Sequence, residues 1–281
     1  MLFLIFERLN TGGIKLNEME IRNCIYRGKL NELIKSIAKN DDFLHCINRR
    51  NLERRMEDRA LVLRFLAFYM TPHDRATQGL KAFLNRFLEN FRNPSVAQLK
   101  EFDAKFRQAM RSCVTVFGNE GFRLRRDDRK GGGEWASKPN ASIFQVVSTS
   151  FARYEHSQIT QKRDQIFEEY LDILTDIRLV DSVTKSTGDQ RSLRYAFDEW
   201  HKRLSHIMDT SSPLDGQRIF SVSLKKELFL QDNTCQICGN RIKSMLDASL
   251  DHEIHYWRGG RTVPSNARLV HRSCNLTRPR T

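Results

Sequence analysis

No apolar run in this 281-residue chain approaches the roughly 18 residues that a bilayer-spanning helix requires. A transmembrane reading is therefore set aside, and residues 1–6 (MLFLIF), met at once by Glu7, are too short for a secretory signal. Acidic charge is also in short supply: 34 Asp and Glu face 47 Lys and Arg, leaving a net charge of +13. That excess favours a polyanionic partner, because Lys and Arg beside phosphates release condensed counterions. Double-stranded DNA is the natural candidate, and no membrane partner is expected. A disulfide framework is lacking as well. Of six cysteines, Cys24, Cys46 and Cys113 stand singly in apolar helical patterns and are expected to be reduced core residues, which places the chain in a reducing, cytoplasmic compartment. His45, His73, His156, His201 and His206 have no ligand-type partner at suitable spacing and are expected to be ordinary polar or packing residues. A disordered tail is excluded by a content of 40% hydrophobic and 10% aromatic residues.

What is present is mostly helical periodicity. Asn17 with Glu20 has capping-box spacing ahead of the apolar face Ile21, Cys24 and Ile25, so a helix is expected over about residues 17–27, ending at Gly28. Further helices are expected at 30–38, 61–70, 80–91, from Ser95 to Phe117, 143–151, 167–180 and 193–207. Residues 181–191 form a polar link. Leu80, Phe83, Leu84, Phe87, Leu88 and Phe91 repeat at three-and-four spacing and are a core stripe rather than a base-stacking platform. Residues 123–130 hold five basic residues and two Asp ahead of three glycines, which is either a solvated loop or a flap that contacts phosphates. Residues 210–216, rich in Ser, Pro, Asp and Gly, give the best domain boundary.

The chemistry is concentrated in residues 235–275. Cys235-x-x-Cys238 and His271-x-x-Cys274 each put two soft ligands on a short turn, a spacing that suits one structural, tetrahedral Zn²⁺ clamping two segments. Between the pairs, Asp251 offers a hard carboxylate suited to Mg²⁺ or a similar cation, and His252 is a residue type that exchanges protons near neutral pH. A Cys2His2 finger built from Cys235, Cys238, His252 and His255 is the rival arrangement. Its spacing is wrong: 13 residues separate Cys238 from His252 where about 12 are usual, and His252-x-x-His255 is tighter than the usual three to five.

This stretch resembles an HNH endonuclease, the ββα-metal fold, over roughly the last 65 residues of the chain. The resemblance is carried by Asp251-His252 on a first strand, Asn266 after Gly259-Gly260, and Asn275 directly after Cys274. It implies that His252 is the general base that activates water, that Asp251 and Asn275 hold a catalytic Mg²⁺ or Mn²⁺, and that Asn266 pins the hairpin loop. His255 stands where many relatives have Pro, and His271 where many have Cys; neither change removes a catalytic group. Arg258 and Arg261, flanking the Gly-Gly loop, are candidates to hold DNA phosphates. The final helix is expected near His271, cut short by Pro279.

At the other end, Phe6-Glu7-Arg8-Leu9-Asn10-Thr11-Gly12-Gly13, with Leu16-Asn17 and Glu20-Ile21-Arg22-Asn23, resembles the end of the ParB-like N-terminal domain of GmrSD-type modification-dependent restriction proteins. The Asp-Gly-Gln-Gln-Arg motif of that domain is not found. Asp215-Gly216-Gln217-Arg218 lacks one Gln, and a turn before a strand is its simpler reading. The expected organisation is mainly α: a ParB-like remnant over 1–28, a helical domain over 29–210, and a zinc-braced HNH domain over 211–281. The expected function is metal-dependent hydrolysis of DNA phosphodiester bonds, in restriction or defence against foreign or modified DNA. The alternative is a non-catalytic, zinc-braced DNA-binding or partner-docking protein. Self-association and a missing nucleotide-binding half stay open.

Overall fold

Helix dominates the computed structural model, which describes residues 15–125, 134–185, 187–209, 219–255 and 260–276. Two compact units interleave along the chain: one takes 1–122, 138–161 and 182–199, the other 123–137, 162–181 and 200–281. The 1–14 segment, the expected boundary at 210–216, the 215–218 motif, Arg258, Gly259 and Pro279 lie outside the described residues.

In the first unit, α1 (Glu18–Ile25), α2 (Lys29–Ile37), α3 (Asp41–Ile47), α4 (Glu57–Met70), α5 (Gly79–Asn90), α6 (Val96–Phe117), α7 (Ala141–Phe151) and α8 (His156–Gln161) follow one another. Their starts follow from local chemistry. Asn17 and Glu20 close the expected capping box on α1, and Ser95 and Gln98 close another on α6. In each, a side-chain oxygen takes an otherwise orphaned N–H of the first turn. The core is aromatic: Phe106 meets Phe43 and Phe65 at ring-centroid distances of 5.5 and 5.1 Å, and Phe144 meets Phe43 and Phe122 at 5.9 and 4.9 Å. Leu80, Phe83, Leu84, Phe87 and Leu88 are buried on α5, the core stripe expected of them. Cys46 and Cys113 are buried, and their thiols share a hydrogen bond that, after burial, pushes Cys113 up. Cys24 is exposed. It sits near the end of α1 and does not join the core, contrary to expectation.

The second unit begins with a stem, Arg125 bridged to Trp135, whose closing residues are tied by Arg123 donating to the carbonyls of Ala136 and Ser137. The single helix expected at 167–180 is two, α9 (Arg163–Ile173) and α10 (Ile177–Thr184). Asp176 breaks it: its Oδ1 accepts from the Arg178 and Leu179 N–H groups at 2.9 and 3.2 Å and so starts a new helix. Residues 200–209 of α11 (Gln190–Asp209) also belong here, with Trp200 buried edge-on against Tyr170. Then come α12 (Val222–Gln231), capped by Ser221, the antiparallel strands β1 (Ala248–His252) and β2 (Ala267–His271), and α13 (Arg272–Leu276). The strand expected to carry Asp251-His252 is β1; it ends at His252, and two residues on the Ile254 N–H goes to the Asn266 side chain rather than to a strand partner. Ala248, Leu269, Val270, Cys235, Ile242 and Cys274 form one apolar cluster under Leu228 and Phe229 of α12.

Candidate metal centre and active site

Residues 233–242 fold into a small turn that presents the first ligand pair. Thr234 bridges Arg241, the Cys235 N–H donates to the Asn240 carbonyl at 2.9 Å, and the Gly239 N–H donates to the Cys235 carbonyl at 2.8 Å. Gly239 sits at φ +71°, a left-handed conformation that glycine adopts without a Cβ penalty. The Gln236 N–H donates to the Leu269 carbonyl, fastening this turn to β2, whose last residue, His271, together with Cys274 on α13 supplies the second pair.

Ligand atoms of Cys235, Cys238, His271 and Cys274 all lie within 4.8 Å of one another. The Cys238 and Cys274 sulfurs stand 3.4 and 3.9 Å from His271 Nδ1. Bonds of about 2.3 Å to sulfur and 2.0 to 2.1 Å to nitrogen at tetrahedral angles would set such an edge at roughly 3.6 Å, so the donor set fits one zinc-sized ion. His252 and His255 are not in this group, and the finger arrangement is thereby excluded. Burial raises the Cys235 thiol, but the backbone N–H groups of Cys238, His271 and Ile237 outweigh it and hold the group down at about 7. Cys274 goes the other way, pushed up to about 12 by burial and the neighbouring Cys235 and Cys238 sulfurs.

The β1–β2 register pairs Asp251 with Arg268 and His252 with Ala267. Because strand side chains alternate, Ser249, Asp251 and Arg268 share one face and Ala248, Leu250 and His252 the other. Arg268 places both Nε and a terminal nitrogen on Asp251 Oδ2, at 2.9 and 2.6 Å. Asn275, on α13, donates from Nδ2 to Ser249 Oγ at 3.2 Å, which brings it to the face that carries Asp251. A carboxylate and an amide carbonyl are the hard oxygen donors that Mg²⁺ or Mn²⁺ takes. Any cation on Asp251 shares that carboxylate with the Arg268 guanidinium.

On the opposite face, His252 Nε2 lies 2.9 Å from Thr262 Oγ1, and its ring lies 4.4 Å from that of Phe220. Asn266 is bonded to both sides of the loop: Oδ1 accepts from Ile254 N at 2.8 Å, and Nδ2 donates to the Ile254 and Arg261 carbonyls at 3.1 and 2.9 Å. Gly260 is required by close approach, since a Cβ there would stand 1.8 Å from the Ile254 carbonyl oxygen. Arg261 is exposed beside this loop.

Residues 235–280 match the family model described as HNH endonuclease. The match supports nuclease chemistry, and with it nucleic-acid binding, at the level of the family. No match was found among curated proteins, nor among solved structures. Nothing in these comparisons supports the resemblance of the N-terminal segment to GmrSD-type proteins. No described helix is long and apolar enough to cross a membrane.

No motif in the sequence marks Thr262, Arg268, Arg272 or Glu168. Arg268 could have been found by counting the hairpin back from Asn266, which places it opposite Asp251. Thr262 and Glu168 carry no sequence signal, because their partners come from the folded chain.

Proposed function

We propose that this chain is a metal-dependent endonuclease that hydrolyses phosphodiester bonds of duplex DNA. One arrangement supports the reading best: a Cys3His cluster braces a two-stranded hairpin that presents Asp251 and His252, with Asn275 on the following helix drawn to the Asp251 face. In this reading Zn²⁺ fills Cys235, Cys238, His271 and Cys274 and has a structural role. Asp251 and Asn275 hold Mg²⁺ or Mn²⁺, which when bound neutralises charge growing on the phosphate and the departing 3′ oxygen. His252 takes the proton of the attacking water. If its Nε2–H donates to Thr262, Nδ1 is the nitrogen that accepts it. Asn266 holds the loop between the strands, while Arg258 and Arg261 hold flanking phosphates.

Around this centre the proposed organisation is a helical part up to residue 210 and the HNH domain over 211–281, working in the cytoplasm in restriction or defence against foreign or modified DNA. The second reading, a zinc-braced DNA-binding or partner-docking protein without catalysis, is favoured by one observation: Asp251 already has a cationic partner in Arg268. Conversion of supercoiled plasmid to nicked or linear DNA with Mg²⁺ or Mn²⁺ separates the two. Cleavage lost in His252→Ala supports the nuclease; binding without cleavage by the wild type supports the alternative.

A further inference from the structure

Charges outside the HNH match converge on it from α9. Arg272, the first residue of α13 and 3% exposed, donates through its backbone N–H to the Asp247 carbonyl at 2.9 Å and through Nε to the Leu246 carbonyl at 2.6 Å. One residue thus ties the chain entering β1 to the chain leaving β2. Its two remaining nitrogens reach α9: one to the Glu168 carbonyl and Asp172 Oδ1 at 3.2 and 2.7 Å, the other to Glu168 Oε2 at 2.6 Å. Glu168 and Asp172 are four apart and share a helix face, so one guanidinium spans both. Lys225 of α12 approaches the other Glu168 oxygen, Oε1, at 2.5 Å. Glu168 therefore ties α12 to α13 with both carboxylate oxygens engaged, and Arg272 carries the tie on to the turn before β1.

The position of Arg272 gives this hub a link to chemistry. It stands between the ligands His271 and Cys274, and Asn275 follows three residues on, one turn along the same short helix. A guanidinium fixed by four acceptors leaves α13 little freedom to slide or rotate against the hairpin.

We propose that Glu168 is a positioning residue of the nuclease centre: acting through Arg272 and Lys225, it fixes the helix that carries Cys274 and Asn275. The assignment rests on the nuclease reading for its catalytic consequence, but not for the fixing of α13. Glu168 touches no proposed reacting atom. Its neighbour Glu169 serves as an internal control, since it pairs with Arg203 at 2.7 Å and joins neither Arg272 nor Lys225 by hydrogen bond or ion pair.

The test compares full-length wild type, Glu168→Ala, Glu168→Gln and Glu169→Ala in zinc content, amide exchange of the Arg272 N–H, and steady-state cleavage. Glu168→Ala is expected to speed exchange of the Arg272 amide at least tenfold with one zinc retained. It should lower kcat at least tenfold with KM little changed, because the proposed phosphate contacts, Arg258 and Arg261, are left intact. Glu168→Gln, which keeps an acceptor, should recover part of both effects, and Glu169→Ala should change neither. Unchanged exchange at Arg272 in Glu168→Ala overturns the proposal, as does faster exchange with an unaltered kcat. A matching loss in Glu169→Ala overturns it too, since that would mark general loosening of α9. A wild type that does not cleave sinks the nuclease reading instead, and the exchange comparison still decides whether Glu168 fixes α13.

Discussion

Arg268 lies directly across the hairpin from Asp251 and sets two nitrogens on a single carboxylate oxygen, at 2.9 and 2.6 Å. The carboxylate assigned to the catalytic cation is thus already neutralised by a side chain of its own hairpin. A dication must share that oxygen or draw the carboxylate away from the guanidinium.

Removing the competitor should therefore strengthen cation binding. A hydrogen bond between charged groups contributes roughly 1.5 to 3 kcal/mol, so Arg268→Gln is expected to tighten Mn²⁺ binding by about ten- to a hundredfold. Electron paramagnetic resonance titration of free Mn²⁺ measures this directly. Equal affinity in the two proteins would mean that Asp251 does not hold the cation; weaker binding in the variant would mean that Arg268 orients the carboxylate rather than competing for it.

Zinc should be lost on acidification. Metal binding needs thiolates, and Cys235, held down at about 7, begins to take up a proton below neutrality, while Cys274 must release one at any ordinary pH. Zinc affinity is expected to fall by at least about tenfold for each unit of pH below 7, one displaced proton being worth about 1.36 kcal/mol per unit. Competition with a chromogenic chelator from pH 7.5 to 5.5 reads the slope. A flat profile would show that neither Cys235 nor Cys274 binds the zinc as a thiolate.

The loop between the strands should depend on Asn266 and Gly260 for geometry rather than reaction. Asn266→Ala leaves the Ile254 N–H and the Ile254 and Arg261 carbonyls without this partner, at a cost of roughly 1 to 3 kcal/mol for each group that stays buried and unsatisfied. Gly260→Ala puts a Cβ onto the Ile254 carbonyl, so the loop must open. Both variants should lower the melting temperature and lose activity together. Loss of activity at unchanged melting temperature would instead give Asn266 a chemical role.

DNA affinity should be dominated by phosphate contacts, given the net charge of +13. The logarithm of the binding constant is expected to fall linearly with the logarithm of salt concentration, with a slope of about −0.9 per phosphate neutralised. Arg261→Ala should reduce that slope by roughly one phosphate. A salt-independent affinity would assign the basic excess to some other purpose.

The architecture was legible where it rests on local rules. Capping boxes at Asn17 and Ser95, the aromatic stripe of α5 and the paired spacing of Cys235, Cys238, His271 and Cys274 are short-range signals, and the structure has helices, a buried face and a ligand cluster at those places. The break at Asp176 was missed because apolar spacing continues through it, while the competing side-chain cap depends on one carboxylate. Cys24 was misplaced because an apolar neighbourhood in sequence does not say which way a helix turns its cysteine. The partners of Asp251 and Arg272 come from register and tertiary packing, and spacing alone does not supply either.

His252 carries the central claim, and plasmid cleavage by zinc-replete wild type and His252→Ala tests it most directly. The expected result is a loss of about 10² to 10⁴-fold in rate, the usual range for a general base. Zinc content, melting temperature and DNA affinity should stay close to wild type, because the proposed Zn²⁺ and phosphate contacts fall on other side chains. A variant that cleaves at the wild-type rate, or one that loses its zinc and unfolds, would contradict the account.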